Sequence, residues 1–253
     1  MKYNILSRLT YLRKARHRGG HGIHSPFLFH LITTVIENKH QFPEYKIFRK
    51  LHLKASKLLN QNPDLPSTKS RNDSLLSINN PRKLYKKLEL PRRFHEMIFR
   101  LIREFKPSVL IHYGPTLGIN SGMMALANSS TPVYQSTEDL SFDLFTLELL
   151  RDSPITNLCF LPKGSILPLR PEFILINYPD NPEYTRNILN ICLDRYSEND
   201  LIIIKGIHQS KEMETIWLDL ISQIGVRVTL DLFEIGIALF RPGLQKENFI
   251  LRF

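Results

Sequence analysis

The apolar positions of the chain follow two patterns, and the change between them falls near residue 107. Before that point they recur at helical spacing, which predicts helices at about 3–17, 44–60 and 91–105. Ser25-Pro26 also starts a helix, with serine as the cap and proline at the first helical position. Turn-forming pairs such as Asn62-Pro63 predict a loop or linker over about 61–82.

After residue 107 the pattern changes to short apolar runs that alternate with helical segments. The runs lie at 108–113, 132–136, 156–161, 172–177 and 200–204, and the helical patterns lie at about 118–128, 139–151, 183–195 and 210–223. This alternation indicates a parallel sheet covered on both faces. The segments 226–232 and 233–241 have almost no connector, so they must pair antiparallel. The pattern therefore predicts a helical extension at 1–89 and a doubly wound α/β domain at 90–253.

The composition is that of a folded chain. Apolar residues make up 42% of it and charged residues 23%, which excludes wholesale disorder. No apolar run approaches the roughly 18–20 residues that a membrane helix needs, and the N-terminus lacks the apolar core of a secretory signal. Only two cysteines are present, which fits a reducing compartment. We therefore expect a cytoplasmic protein without a membrane span.

Positive charge is concentrated in the first part of the chain. Residues 1–107 carry 23 Lys and Arg against 7 Asp and Glu, whereas residues 108–253 carry 11 against 17. Such a basic region either contacts the phosphates of a nucleic acid or forms a solvated helix face. The densest cluster consists of Arg82, Lys83, Lys86, Lys87, Arg92 and Arg93.

Three strings of residues resemble one known protein family. They are His21-Gly22-Ile23-His24-Ser25-Pro26-Phe27, the stretch from Gly206 to Trp217, and a C-terminal series from Thr229 through Phe240-Arg241 to Phe253. The first is similar to the N-terminal hallmark of Bacteroidetes-type class I S-adenosylmethionine-dependent methyltransferases, and the others resemble the same family. The resemblance covers nearly the whole chain. It implies a Rossmann-like class I methyltransferase sheet, S-adenosylmethionine as the cofactor, and a methyl acceptor that the sequence does not identify.

The resemblance also assigns cofactor positions. The loop after the first strand contains Gly114 and Gly118, where the backbone approaches a ligand closely, and His112 takes the place of an acidic cofactor-binding residue. At the end of the second strand, Thr137 takes the place of the acid that binds the ribose, with Glu138 one residue later. Two structural interpretations compete: the glycines form a turn that serves folding alone, and Thr137 with its neighbouring acids caps the next helix.

The acceptor side departs further from the family. Asn177 stands where the resemblance implies an aspartate after the fourth strand, and Lys205-Gly206 stands where it implies a pair of acids after the fifth. Because divalent cations need anionic oxygen ligands, we expect no metal. Lys205 serves as a base only if burial lowers its pKa. Two interpretations of His208, near the same strand end, stay open: an acid or base, or a packing residue before the next helix.

Two function hypotheses follow. The first is a methyltransferase-like protein whose cofactor and catalytic acids are largely replaced, with Asn177, Lys205 and His208 at the acceptor side. The second is a non-catalytic binding or scaffold protein with the methyltransferase fold, which contacts nucleic acid through basic residues of 1–107.

Overall fold

The structure is a computed structural model of the chain, and it describes residues 2–15, 19, 22–61, 80–162 and 170–253. His21 and most of the predicted linker at 61–82 lie outside these residues. The described chain forms two compact units, residues 39–171 and residues 1–38 with 172–253. The division proposed between residues 89 and 90 stays a prediction. In the described ranges, no helix combines the length and the apolar character needed to cross a membrane.

Helices and strands alternate through most of the described chain. The first part contains α1 (Lys2–Lys14), α2 (Pro26–His30) with a π-helical continuation (Leu31–Ile36), α3 (Glu44–Gln61), α4 (Pro81–Leu88) and α5 (Arg92–Phe105). The middle contains β1 (Leu110–Tyr113), α6 (Ile119–Ala127), β2 (Val133–Ser136), α7 (Leu140–Leu150) and β3 (Leu158–Leu161). The last part contains β4 (Phe173–Ile176), α8 (Pro182–Leu193), β5 (Leu201–Lys205), α9 (Lys211–Ser222), β6 (Val228–Asp231), β7 (Ile235–Leu239) and β8 (Glu247–Ile250).

The unit at 39–171 contains three parallel strands in the order β3-β2-β1. Val133 of β2 lies opposite Leu110 of β1 and Leu158 of β3. All four residues of β1 are buried, and α5 buries its apolar face, including Phe94, Ile98 and Ile102. The apolar run at 108–113 and the apolar face of α5 therefore belong to the core of this unit, whereas β3 has only one buried residue, Leu161.

The other unit, residues 1–38 and 172–253, has the strand order β4-β5-β7-β6-β8. The pair β4 and β5 is parallel, β7 is antiparallel to both β5 and β6, and β8 is parallel to β6. Every residue of β5 is buried. The predicted antiparallel pairing of 226–232 with 233–241 is confirmed.

Side-chain caps explain where several helices begin. The Asp139 carboxylate accepts from the Ser141 N–H at α7, the Asn181 amide oxygen accepts from the Tyr184 N–H at α8, and the Ser210 hydroxyl accepts from the Met213 N–H at α9. Each cap satisfies a backbone donor that the first turn of a helix leaves without an intrahelical partner. The predicted strands at 108–241 and the predicted helices between them are confirmed to within a few residues.

The structure adds two elements that the sequence did not predict. Asn80 accepts from the N–H groups of Arg82 and Lys83 and so caps α4, which means that a helix begins inside the segment predicted as linker. The strand β8 pairs with β6, with Val228 opposite Glu247.

Two strings that carried the family resemblance meet in the structure. The Ser25 hydroxyl caps α2 by accepting from the Leu28 N–H, at 3.4 Å. Next along the chain, the Phe27 ring lies under the Arg241 guanidinium, 4.3 Å from the ring centroid. The cation–π contact ties the N-terminal string to the C-terminal series within one unit.

Candidate functional site

The turn between β1 and α6, which we call the glycine turn (residues 114–118), is the first part of the candidate site. The Gly114 N–H donates to the Ser136 carbonyl at 3.0 Å, which holds the turn against the end of β2. Gly118 has a φ of +87°, and a Cβ added to it would lie 2.7 Å from Cγ2 of Thr146. Both the backbone conformation and the available space therefore require glycine at position 118.

A buried carboxylate already occupies the glycine turn. Glu89 Oε1 accepts from the Thr116 hydroxyl at 2.8 Å and from the Leu117 N–H at 2.5 Å, and Oε2 accepts from the Asn120 N–H at 2.9 Å. The Glu89 side chain has no exposed surface. Sequence reasoning missed this residue, although an acid flanked by Leu88 and Leu90 in a basic segment was a visible signal.

Asn120 and His95 complete the surroundings of Glu89. The Leu90 N–H donates to Asn120 Oδ1 at 3.2 Å, which identifies that atom as the amide oxygen. His95 Nε2 lies 2.6 Å from the same oxygen and must therefore be the protonated ring nitrogen. The same ring nitrogen, His95 Nε2, is 3.9 Å from Glu89 Oε2. The buried polar groups at the start of α6 form one hydrogen-bonded network.

His112 is part of the internal structure of this unit. It lies on β1, fully buried, with Nδ1 3.0 Å from the Ser121 hydroxyl of α6. The imidazole therefore joins the strand to the helix that follows it.

The end of β2 carries a second polar group of residues. The Thr137 hydroxyl lies 3.0 Å from Asp143 Oδ1 and 3.1 Å from the Asp139 carbonyl, and the Gln135 amide donates to the same Asp143 oxygen at 2.8 Å. Burial raises the pKa of Asp143, while the hydrogen bonds from Gln135 and Thr137 oppose the rise. Glu138 has an exposed side chain. The buried acid at this strand end is therefore Asp143, which the sequence did not single out.

The acceptor-side candidates lie in the other unit. Asn177 follows β4 and Lys205 ends β5, and both are buried. Ile176 lies opposite Ile204 in the parallel ladder, so Asn177 and Lys205 occupy the next positions along the two strands. The loops that follow also touch, because the Gln209 amide donates to Asp180 Oδ1 at 2.9 Å.

His208 lies between two carboxylates. Its Nε2 is 2.7 Å from Asp231 Oδ2, and its Nδ1 is 3.5 Å from Glu214 Oε1. The ring stacks on Phe233 with centroids 5.3 Å apart. Burial opposes the charged form, but the hydrogen bond and charge of Asp231, together with Glu214, outweigh burial and raise the pKa of His208.

The acceptor-side residues do not fit a divalent metal ion. Asn177 supplies a neutral amide and Lys205 a cation, whereas hard cations take anionic oxygen ligands. Within the described ranges, no group of three or more His, Cys, Asp and Glu is arranged to hold a metal.

The arrangement of strands and helices is the Rossmann-like fold of class I methyltransferases, a mostly parallel mixed sheet with flanking helices. No protein-family model matches the chain, and no curated protein matches it. Solved structures do match, at low identity.

The cofactor-bound Rv0187 protein from MTB is 9% identical with a TM-score of 0.56, over 81% of this chain and 99% of that one. The methyltransferase PaMTH1 from Podospora anserina, solved with S-adenosylhomocysteine (SAH), is 10% identical with a TM-score of 0.55, over 87% and 97%. The O-methyltransferase TomG from Streptomyces achromogenes, solved with S-adenosylmethionine (SAM), is 12% identical with a TM-score of 0.53, over 76% and 89%. These likenesses support the fold.

Proposed function

We propose that this chain is a methyltransferase-like protein in which the cofactor positions and, on the acceptor side, His208 are engaged in internal hydrogen bonds. In this proposal it binds SAM no more tightly than the millimolar range and does not carry out metal-assisted methyl transfer. The protein acts instead as a binding module with the methyltransferase fold. The observation that carries the proposal is the Glu89 carboxylate, which is buried against the N–H groups of Leu117 in the glycine turn and Asn120 in the first turn of α6.

The other cofactor positions support the same conclusion. The His112 imidazole is engaged with Ser121, and the Thr137 hydroxyl is engaged with Asp143. Each of these side chains makes a hydrogen bond inside the fold. At the same position, an acidic residue would make its hydrogen bond to the cofactor. As they stand, these residues do not fit SAM.

A calorimetric titration tests the proposal. The purified protein is titrated with SAM and SAH up to about 1 mM, where binding free energies are near −4 kcal/mol. TomG, which was crystallised with SAM, serves as the positive control. We expect no saturable heat from this chain. Saturable binding in the micromolar range would overturn the proposal.

A second candidate function is nucleic-acid binding by the basic side chains of α4 and the start of α5. The side chains of Arg82, Lys83, Lys86, Arg92 and Arg93 are exposed. Arg92 is paired with Glu96 at 2.6 Å, and Arg93 lies 4.8 Å over the Phe94 ring, so the α4 residues are the primary candidates for phosphate contacts.

Fluorescence anisotropy with labelled single-stranded RNA and duplex DNA tests this second function. We expect affinity that falls steeply as salt rises from about 50 to 200 mM, because each phosphate contact releases a counterion. Alanine at both Lys83 and Lys86 should weaken binding and reduce the salt slope. Alanine at both Lys211 and Arg252 removes two exposed positive charges elsewhere and should change little. Equal losses from the two double variants would refute a site on α4.

A further inference from the structure

Backbone N–H groups of the glycine turn and of the first turn of α6 are directed toward groups of the chain itself. The Leu117 and Asn120 N–H groups donate to the Glu89 carboxylate, and the Gly118 N–H donates to the Thr116 hydroxyl at 2.9 Å. The Thr116 hydroxyl donates in turn to Glu89. Two of the backbone N–H groups at the start of α6, those of Leu117 and Asn120, are therefore engaged by a carboxylate that the protein itself supplies.

The position of this carboxylate follows from elementary electrostatics. An ionised carboxylate without exposed surface is costly unless several donors surround it, and the start of α6 supplies such donors together with the positive end of the helix dipole. Glu89 lies 31 positions before Asn120 in the chain, so it is not a local cap of the kind that precedes a helix by one residue. The hydrogen bonds of Glu89 are therefore tertiary contacts between the α4–α5 connection and the glycine turn.

A ligand with its own carboxylate would compete for the same donors. SAM and SAH each carry one carboxylate, on their amino-acid portion, whereas 5′-methylthioadenosine has the same thioadenosine portion and no carboxylate. Only the first two therefore compete with Glu89.

We propose that Glu89 is an internal ligand of the glycine turn, which excludes ligands that place a carboxylate there. This inference rests on the proposed function and names the residue responsible for weak cofactor binding. Removing the carboxylate should convert the turn into an anion site. An ordinary helix cap would lose stability on removal without gaining any affinity for a ligand.

Small carboxylates test the anion site directly. In Glu89→Ala, sodium acetate should raise the thermal unfolding midpoint by about 2–5 °C for each tenfold rise in concentration above its dissociation constant. Sodium chloride at equal ionic strength should not. The wild type and Leu88→Ala, which shortens a neighbouring buried apolar side chain, should show no such difference between the two salts. If Glu89→Ala unfolds in buffer, acetate should restore its structure, and failure to do so contradicts the proposal.

Ligand titration tests the exclusion. We expect SAH to bind Glu89→Ala at least about tenfold more tightly than the wild type, which corresponds to about 1.4 kcal/mol. The affinity for 5′-methylthioadenosine should stay within about twofold. An unchanged SAH affinity would overturn the role of Glu89, whereas micromolar SAH binding by the wild type would overturn the proposed function, so the two failures are separable.

Discussion

The contact between His208 and Asp231 should make the stability of the protein depend on pH in a defined direction. The raised pKa of His208 means that the folded protein holds a proton more tightly than the unfolded chain does. The resulting stabilisation is complete below the unfolded value of about 6.5, and it is lost as pH rises through the folded pKa of His208. His208→Gln tests this, because glutamine keeps a neutral donor without the titrating charge.

The magnitude follows from the geometry around His208. The 2.7 Å contact joins side chains that are 13% and 11% exposed, and a hydrogen bond to a charged group contributes about 1.5–3 kcal/mol. Glu214, at 3.5 Å and 37% exposed, adds at most about 1 kcal/mol. Since the glutamine keeps part of the hydrogen bond, we expect His208→Gln to lose about 1–2 kcal/mol at pH 5.5 and much less at pH 9.

Urea denaturation provides the measurement. Trp217, the single tryptophan, is buried in α9 of the same unit, and its fluorescence reports unfolding there. Glu214→Gln is the matched control and should change the unfolding free energy by less than about 1 kcal/mol at either pH. A difference between wild type and His208→Gln that stays constant from pH 5.5 to 9, or grows with pH, would refute the reasoning.

Three further predictions concern glycine, cysteine and histidine positions. Gly118→Ala should lower the unfolding free energy by about 1–3 kcal/mol more than Gly243→Ala. Both glycines have positive φ, but only at Gly118 would the added Cβ lie against a neighbouring side chain. Equal urea midpoints of the two variants would contradict this. A thiol reagent should label the exposed Cys159 at once and Cys192 only on unfolding, because burial, together with Asp200, raises the pKa of Cys192 to about 12. Burial, together with Arg92, lowers the pKa of His52 to about 4, so the protein should lose stability as pH falls from 6.5 toward 4. The loss of stability should be smaller in His52→Asn than in the wild type. Urea midpoints of both proteins at pH 7.5 and 4.5 test this, and an equal loss would contradict it.

Most of the fold could be predicted because the apolar runs are long and clearly spaced. The buried strand Leu201–Lys205 is a near-continuous apolar run of strand length, which the sequence identifies without knowledge of its partners. The helix α4 was missed because Asn80-Pro81 signals a turn as well as a capped helix start. The strand β8 was missed because its Glu247–Ile250 segment is too short and polar to stand out.

The candidate site was harder to predict because it depends on contacts between distant residues. The glycine turn follows from local spacing, but the carboxylate in it comes from Glu89, 28 positions before Leu117. Asp143 reaches the end of β2 from the first turn of α7, and its hydrogen bond with Thr137 joins residues 6 positions apart, a spacing that fits neither a strand nor a helix. Sequence patterns of helical or strand period cannot report pairings of this kind.

The two segments of one unit, residues 1–38 and 172–253, are joined by contacts over a very long sequence separation. The Tyr11 hydroxyl donates to the Leu251 carbonyl across 240 positions, and the Tyr11 ring packs on Phe233 at 5.1 Å. During synthesis, residues 39–171 are contiguous and leave the ribosome before their neighbours at 172–253. Residues 1–38 therefore cannot complete their unit until the strands of 172–253 have been synthesised. The pairing of the two segments also carries the entropic cost of closing a very long loop, residues 39–171. Synthesis of the strands within residues 172–253, rather than emergence of the first helix, is the event that allows this unit to fold.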